Sequence, residues 1–264
     1  DTRPGTSDAE TQRGLFLPTQ IYPLFESALR ARAGLSHDAH REGLGQLMSR
    51  FSAVVAENPY AWFREARTAT EIATPTAQNR IIGFPYPKLM NAVLDVDQGA
   101  AVLVTSIARA RELGIPRERW VYLWGGADLH DLWFVSEREN YWSSPAIRAA
   151  GAAALEMAGI GIGDVRHLDL YSCFPCAVQI ARAELGIAAD DPRPLTVTGG
   201  LAAFGGPGSN YSMHAIATML DRVRARPGDV GLVTALGWYL TKHSVGVYAA
   251  VPPPQPATHG WRLP

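Results

Sequence analysis

The spacing of apolar positions changes at about Asp97. Before it, Ile21, Phe25 and Leu29, and then Leu44, Leu47, Met48, Phe51 and Val54, recur at helical intervals, so residues 15–66 read as helices broken by Pro and Gly. Pro75, Pro85 and Pro87 punctuate residues 68–97, which read as irregular chain packed on a core. After Asp97, short continuous apolar runs alternate with amphipathic ones. Residues 99–105 and 121–124 have strand length and composition, and a short helix over 107–113 lies between them, stopped by Gly114 and Pro116. Residues 125–144 read as a polar and aromatic loop holding His130, Asp131, Trp133 and Trp142.

Ser144 is placed to cap a helix with Pro145 at its first position and Gly159 at its end. A strand is predicted over 165–171, then a helix opened by Pro175 and closed by Gly186, then a strand over 195–198 and a glycine-rich turn from Gly199 to Gly208. Asn210 or Ser212 caps a helix whose apolar face is Met213, Ile216, Ala217, Leu220 and Val223. Apolar runs over 230–236 and 244–250 read as strands close enough to form a hairpin. From residue 120 the order is therefore β-α-β-α-β-α-β-β. This implies an α/β fold with a mostly parallel sheet and helices on both faces. Ligands in such a sheet bind beyond the C-terminal strand ends.

Composition narrows the classes of function. Across 264 residues, 24 basic side chains face 25 acidic ones, with no basic run to attract nucleic acid or a membrane surface. No apolar stretch approaches the roughly 18 residues of a membrane span. The chain opens on Asp1 without a hydrophobic signal core and without Met, and is expected to be a fragment or a processed product. With 47% hydrophobic residues it can bury a sizeable core. Its two cysteines make no disulfide framework, which fits a cytoplasmic setting.

Three segments fall at the expected strand ends. Tyr171-Ser172-Cys173-Phe174 leads into a helix N-terminus, whose N–H groups and dipole suit a thioester oxygen or a thiolate. Cys173 there is either such a thiol or a small buried hydrophobe. The glycine-rich turn can approach a ligand closely but lacks the Gly-Lys-Ser/Thr ending of a Walker loop. The third segment, Ala235-Leu236-Gly237-Trp238-Tyr239 to Lys242-His243, is either functional or a packed sheet edge. Cys173 and Cys176 form C-x-x-C without the second ligand pair that zinc needs, so no metal is expected; a redox pair fits better, because thiol pKa falls at a helix N-terminus. His214 lies on a first helical turn, and His37, His40 and His259 read as surface residues.

These loops resemble, in order and spacing, the C-terminal half of thiolases. Asp169-Leu170-Tyr171-Ser172-Cys173-Phe174 resembles the Asn-Glu-Ala-Phe loop, and more closely the His-Asp-Cys-Phe loop of sterol-carrier-type thiolases. Gly199 to Pro207 resembles Gly-Gly-x-x-x-x-Gly-His-Pro, and 235–237 resembles Cys-x-Gly. Asp97-Gln98-Gly99-Ala100-Ala101 resembles the Asp-Gly-Ala-Ala segment that ends the first half. The resemblance spans roughly residues 45–251 and is nearest to actinobacterial thiolase-like proteins of the acetyl-CoA acetyltransferase kind. It implies a loop region with the end of the first half over 1–95, a C-terminal half over 96–251 and a proline-rich tail over 252–264.

The resemblance also implies acyl-CoA or a lipid thioester as substrate or ligand, no covalently bound cofactor, and a homodimer or a first-half chain as partner. The catalytic positions it marks are Tyr171, Ser172, Cys173 and Gly206, with His214 and His243 as replacement groups. Its substrate-binding positions are Phe204, Gly205, Pro207, Asn210, Leu236, Gly237 and Trp238. The activating His of the family is Gly206 here, its acid/base Cys is Ala235 or Leu236, and its nucleophile belongs to the absent half. Three expectations follow: an acyltransferase completed elsewhere, a non-catalytic acyl-CoA binder, or a structural partner. An unrelated doubly wound α/β protein is the alternative to all three.

Overall fold

A computed structural model describes residues 2–254. The first part of the chain is helical: α1 (Asp8–Gln12), α2 (Pro18–Arg32) and α3 (His37–Val55), then a short α4 (Ala69–Ala73) and a small antiparallel pair, β1 (Ile81–Gly83) and β2 (Tyr86–Pro87). The rest holds α5 (Ile107–Glu112), β3 (Tyr122–His130), α6 (Pro145–Ala158), β4 (His167–Asp169), α7 (Pro175–Glu184), α8 (Tyr211–Ala225), β5 (Val230–Gly237) and β6 (Lys242–Ala249). The local signals explain several boundaries. The Ser144 hydroxyl accepts from the Ile147 N–H at the start of α6, and Gly159 ends that helix in the left-handed region at φ 69°.

The main sheet has the order β3-β6-β5-β4. The α/β architecture with helices on both faces stands. Gly125 pairs with Val247, while Gly231 pairs with the next residue, Tyr248, so the two glycines face opposite sides of the sheet. A side-chain carbon on Gly125 would lie 2.1 Å from the Ala154 carbonyl of α6, and one on Gly231 would lie 2.1 Å from the Met219 sulfur of α8. Each glycine is therefore where a helix closes on the sheet. Leu168, Leu170, Val178, Ile180, Leu232 and Val247 are buried between these layers.

The sheet is mixed, where the pattern predicted a mostly parallel one. Only β4–β5 is parallel; β5–β6 and β3–β6 are antiparallel. Only four residues separate β5 from β6, too few for the crossover that a parallel pair needs. β3 also runs on to His130, through the first six residues of the expected loop, because β6 offers it an eight-residue edge. The strand expected over 195–198 does not form. Leu170 N–H reaches the Leu195 carbonyl at 2.9 Å. Beyond that, the Asp169 carboxylate takes the Val197 and Thr198 N–H groups that a ladder would use. The apolar run over 99–105 likewise pairs with nothing among the described residues. Residues 56–66, expected to be helical, are turns and irregular chain.

His40 is buried, against expectation. Its Nε2 lies 2.6 Å from Glu26 Oε1, and the same carboxylate accepts from Tyr86 Oη and Gln179 Nε2, both at 2.8 Å. A buried charge needs such partners, and this cluster joins α2, α3, β2 and α7. His37 is exposed, and His259 lies outside the described residues.

Candidate functional site

Asp169 organises the strand ends. Fully buried, it accepts from the N–H groups of Val197 (2.9 Å) and Thr198 (3.2 Å), from the hydroxyls of Thr196 (2.9 Å) and Thr198 (3.0 Å), and from Tyr211 Oη (3.2 Å). Burial raises its pKa, and the hydrogen bonds only partly oppose the rise. These bonds fix the entry to the glycine-rich loop. Sequence reasoning passed over Asp169 because the carboxylate's partners lie some 28 residues away.

Tyr171 N–H donates to Thr234 Oγ1 at 2.8 Å, which ties the β4 end to β5. Its phenol is pushed up by burial, and its ring meets Tyr211 edge-on at 5.4 Å. Ser172 is buried, with its Oγ accepting from Leu201 N–H at 3.2 Å, so it latches the glycine-rich loop. Cys173 and Cys176 are both free and buried. Burial pushes the Cys173 thiol up to about 12, and Cys176 is raised as well. This overturns the expectation of a lowered thiol: removal from water outweighs the helix N-terminus. Tyr22 of α2 seals the corner, stacked on Phe174 at 4.4 Å, with its hydroxyl donating to the Trp238 carbonyl at 2.8 Å.

The glycine-rich loop is packed against two neighbours. Gly205 has φ 119°, and a side-chain carbon there would lie 2.2 Å from Gln98 Oε1; Gly206 N–H donates to the Val93 carbonyl at 2.7 Å. The Phe204 carbonyl accepts from Trp62 N–H (2.9 Å) and Gln98 Nε2 (3.0 Å). Pro207 is half-buried and leads into a single 3-10 turn ending at Asn210. The Asn210 amide grips Ala100 from both sides, accepting from its N–H at 2.8 Å and donating to its carbonyl at 3.1 Å. His214 is 8% exposed, 5.2 Å from the Phe204 ring, and its Nε2 has no hydrogen-bond partner. Burial lowers its pKa, so it is neutral at pH 7.

At the third segment, Leu236 and Gly237 end β5, and the hairpin turns through Trp238 and Leu240, both in the left-handed region at φ 55° and 54°. His243 is buried and engaged: its Nε2 lies 3.1 Å from the Leu240 carbonyl, 3.3 Å from Asp131 Oδ2 and 3.4 Å from Ser144 Oγ. Asp131 also accepts from Ser144 Oγ and Ala146 N–H. Burial alone would raise its pKa, but the bonds from His243, Ser144 and Ala146 hold it below its ordinary value. This Asp, His and Ser set therefore ties the start of α6 to the hairpin. The carboxylate contacts the serine directly, so the three do not form a nucleophilic relay.

Tyr171, Thr234, Leu236 and His243 share a cleft of about 10 Å³, room for about one water. Gly206 does not line it. The glycine-rich loop reaches Tyr171 only through Tyr211, whose ring lies 5.9 Å from Phe204. A larger space lies on the loop's other side. A cavity of about 540 Å³, bounded by Met48, Phe51, Phe63, Leu89, Val93 and Ala202 and mainly apolar, carries Arg67 and Lys88 in its wall. Its signal in the sequence was the apolar stripe of α3, which also reads as plain core. Another cleft, of about 450 Å³ between α3 and the start of β4, takes in Thr196 and Val197 ahead of the glycine-rich loop. Among the described residues, no three His, Cys, Asp or Glu side chains are grouped to hold a metal ion, and no helix is long and apolar enough to cross a membrane.

No family model matches the chain. Curated 3-ketoacyl-CoA thiolases are similar over part of it. That of Escherichia coli O1:K1 / APEC is 29% identical over 153 residues, which is 53% of this chain and 33% of the enzyme. That of Erwinia tasmaniensis is 31% identical over 158 residues, with the same two coverages. The match thus takes in about a third of the length of these relatives. Among solved structures, a monomeric SCP2-thiolase-like protein type 1 from Mycobacterium smegmatis is 47% identical with a TM-score of 0.86, over 90% of this chain and 53% of that one. The Ltp2-ChsH2(DUF35) aldolase has a TM-score of 0.73 at 21% identity, over 94% of this chain and 68% of that one, a likeness of fold alone.

Proposed function

This chain is a relative of the thiolase superfamily with a thiolase-like α/β fold, and on that premise we propose that it binds acyl-CoA thioesters without performing thiolysis through its own residues. The observation that carries the reading is the state of its thiols. With a pKa of about 12, Cys173 is ionised at pH 7 to roughly one part in 10⁵, and a thiol attacks only as thiolate. The other two loop positions add nothing that could take its place. Gly206 has no side chain, Leu236 has no proton to exchange, and His243 is held by Asp131 and the hairpin.

Binding is supported by the cavity beside Gly199 and Ala202, whose volume lies within the range of small-ligand sites. Its apolar wall suits an acyl or pantetheine chain. Arg67 and Lys88 suit phosphate: Arg67 is shared with Glu65, whereas Lys88 has no ion partner among the described residues. His214, with an unpartnered Nε2 among the described residues, offers a polar atom on the far side of the loop. Calorimetric titration with CoA, acetyl-CoA and a longer acyl-CoA, beside a colorimetric assay for released CoA, tests the reading. Saturable binding without release is expected; no heat at millimolar ligand, or steady release of CoA, overturns it.

A further inference from the structure

We infer that the cleft at the start of β4 is a second ligand site, separate from the cavity beside the glycine-rich loop, and that it takes a small phosphate ester of about nucleotide size. Arg50, Ala53, Val54 and Glu57 of α3, at one helical spacing, line it together with Arg166 and His167 at the start of β4 and Arg222 of α8. The cavity proposed for acyl-CoA draws on Met48, Phe51 and Ser52, which fall on the opposite face of α3. The two spaces therefore lie on two sides of one helix. The cleft volume, about 450 Å³, is within the range of small-ligand sites.

The charge of the lining points to an anion. The whole chain balances 24 basic against 25 acidic side chains, yet three arginines meet a single carboxylate, Glu57, around this cleft. Arg41, Arg67, Arg109, Arg148 and Arg224 each have a carboxylate partner. Among the described residues Arg50, Arg166 and Arg222 have none. The nearby carboxylates are engaged elsewhere: Asp229 lies 2.8 Å from His167 Nε2, and Asp191 is held by Arg193 at 2.7 Å. Arg182 of α7 adds to the excess, its pKa lowered by burial and then by the charge of Arg50. Like charges gathered without a counter-ion repel one another, and a bound anion relieves that repulsion. Arg50 is already positioned. Its Nη2 donates to the Asp191 and Arg193 carbonyls, both at 2.9 Å, which leaves Nε and Nη1 without a partner among the described residues. A guanidinium fork matches phosphate oxygens in geometry as well as charge. Val54, Leu168, Pro194 and Val197 supply an apolar side for the organic body of an ester, which a bare inorganic ion would leave unused. The inference does not rest on acyl-CoA binding: a chain that ignores acetyl-CoA and takes up ADP leaves it standing.

Isothermal titration of the chain with ADP and with inorganic phosphate, in about 0.15 M salt, tests the inference. Saturable binding of one ADP per chain is expected, at least about tenfold tighter than inorganic phosphate. Arg166→Gln and Arg222→Gln should each weaken ADP binding by about tenfold or more. Both should keep the wild-type melting temperature, because neither side chain makes a hydrogen bond among the described residues. Arg13→Gln, at the end of α1, should bind ADP as the wild type does. Acetyl-CoA binding, where calorimetry shows it, should be unchanged in the two cleft variants. Five results would each overturn the inference: no heat with about 5 mM ADP, inorganic phosphate as tight as ADP, both cleft variants binding like wild type, an equal loss in Arg13→Gln, or a matching loss of acetyl-CoA binding, which would make cleft and cavity one site. Sedimentation with phosphatidate vesicles that ADP does not reverse would also overturn it, by assigning the phosphate to a lipid headgroup.

Discussion

The end of β4 and the run over 101–105 could hardly be built more differently. At Asp169 a single buried carboxylate takes five hydrogen bonds, from two backbone N–H groups, two threonine hydroxyls and a tyrosine. Over 101–105, five consecutive residues make none among the described residues, and apolar side chains face water. Both stretches carry the sequence pattern of a strand. What separates them is satisfaction of the backbone: one has a buried acceptor to replace its ladder, and the other has no such acceptor among the described residues. The comparison can be broken at either end by substitution.

The largest effect is expected at Asp169. Asp169→Ala leaves two buried N–H groups and three hydroxyls without their acceptor, a loss of about 3–5 kcal/mol in unfolding free energy measured by denaturant titration. The glycine-rich loop should loosen with it, read as faster amide exchange over 197–201. A cost below about 1 kcal/mol would mean that the loop is held by its packing alone. Next comes Val247, fully buried in β6 between α6 and the sheet: Val247→Ala should cost about 2–3 kcal/mol through lost packing.

Cys173 sharpens the same contrast through pH. Its folded pKa, about 12, lies above the model-compound value of 9.0. A raised acid contributes stability that is complete below the unfolded pKa and is lost as pH rises toward the folded one. Between pH 9 and 12 the wild-type chain should therefore lose up to roughly 1.4 kcal/mol per pH unit through this group. Cys173→Ala should show a flatter alkaline limb in parallel melts. Identical limbs would mean that the thiol is open to water, and with it the argument against a nucleophilic Cys173 would fall. Ser172→Ala is a smaller break. It removes the acceptor of Leu201 N–H and should cost about 1–2 kcal/mol.

The parts of the fold that were legible in sequence are those whose cause is local. Ser144, Pro145 and Gly159 mark both ends of α6, and the short turn after Gly237 forces the β5–β6 hairpin. What was illegible depends on distant partners. The length of β3 is set by β6, more than a hundred residues on, and the absence of a strand over 195–198 is set by Asp169. His40 reads as a surface residue until Glu26, Tyr86 and Gln179 are brought to it. The loop order at the site was legible because the three segments resemble a known set. The burial that raises Cys173, and the space beside α3, come from helices whose docking no local pattern states.

The smallest expected effect decides most about the comparison. Val104 and Val247 are the same residue type in runs of similar composition, yet Val104 is exposed and its backbone makes no hydrogen bond among the described residues. Val104→Ala in the isolated chain should therefore change the unfolding free energy by less than about 0.5 kcal/mol, against the several-fold larger loss at Val247. Val104→Lys should be as silent, since a charge placed in water costs little. If instead Val104→Lys lowers stability by more than about 1 kcal/mol, residues 101–105 already pack on this chain in solution. The difference from the Asp169 corner would then be one of degree. If both variants are silent, the strand-forming run contributes nothing to the stability of the described fold.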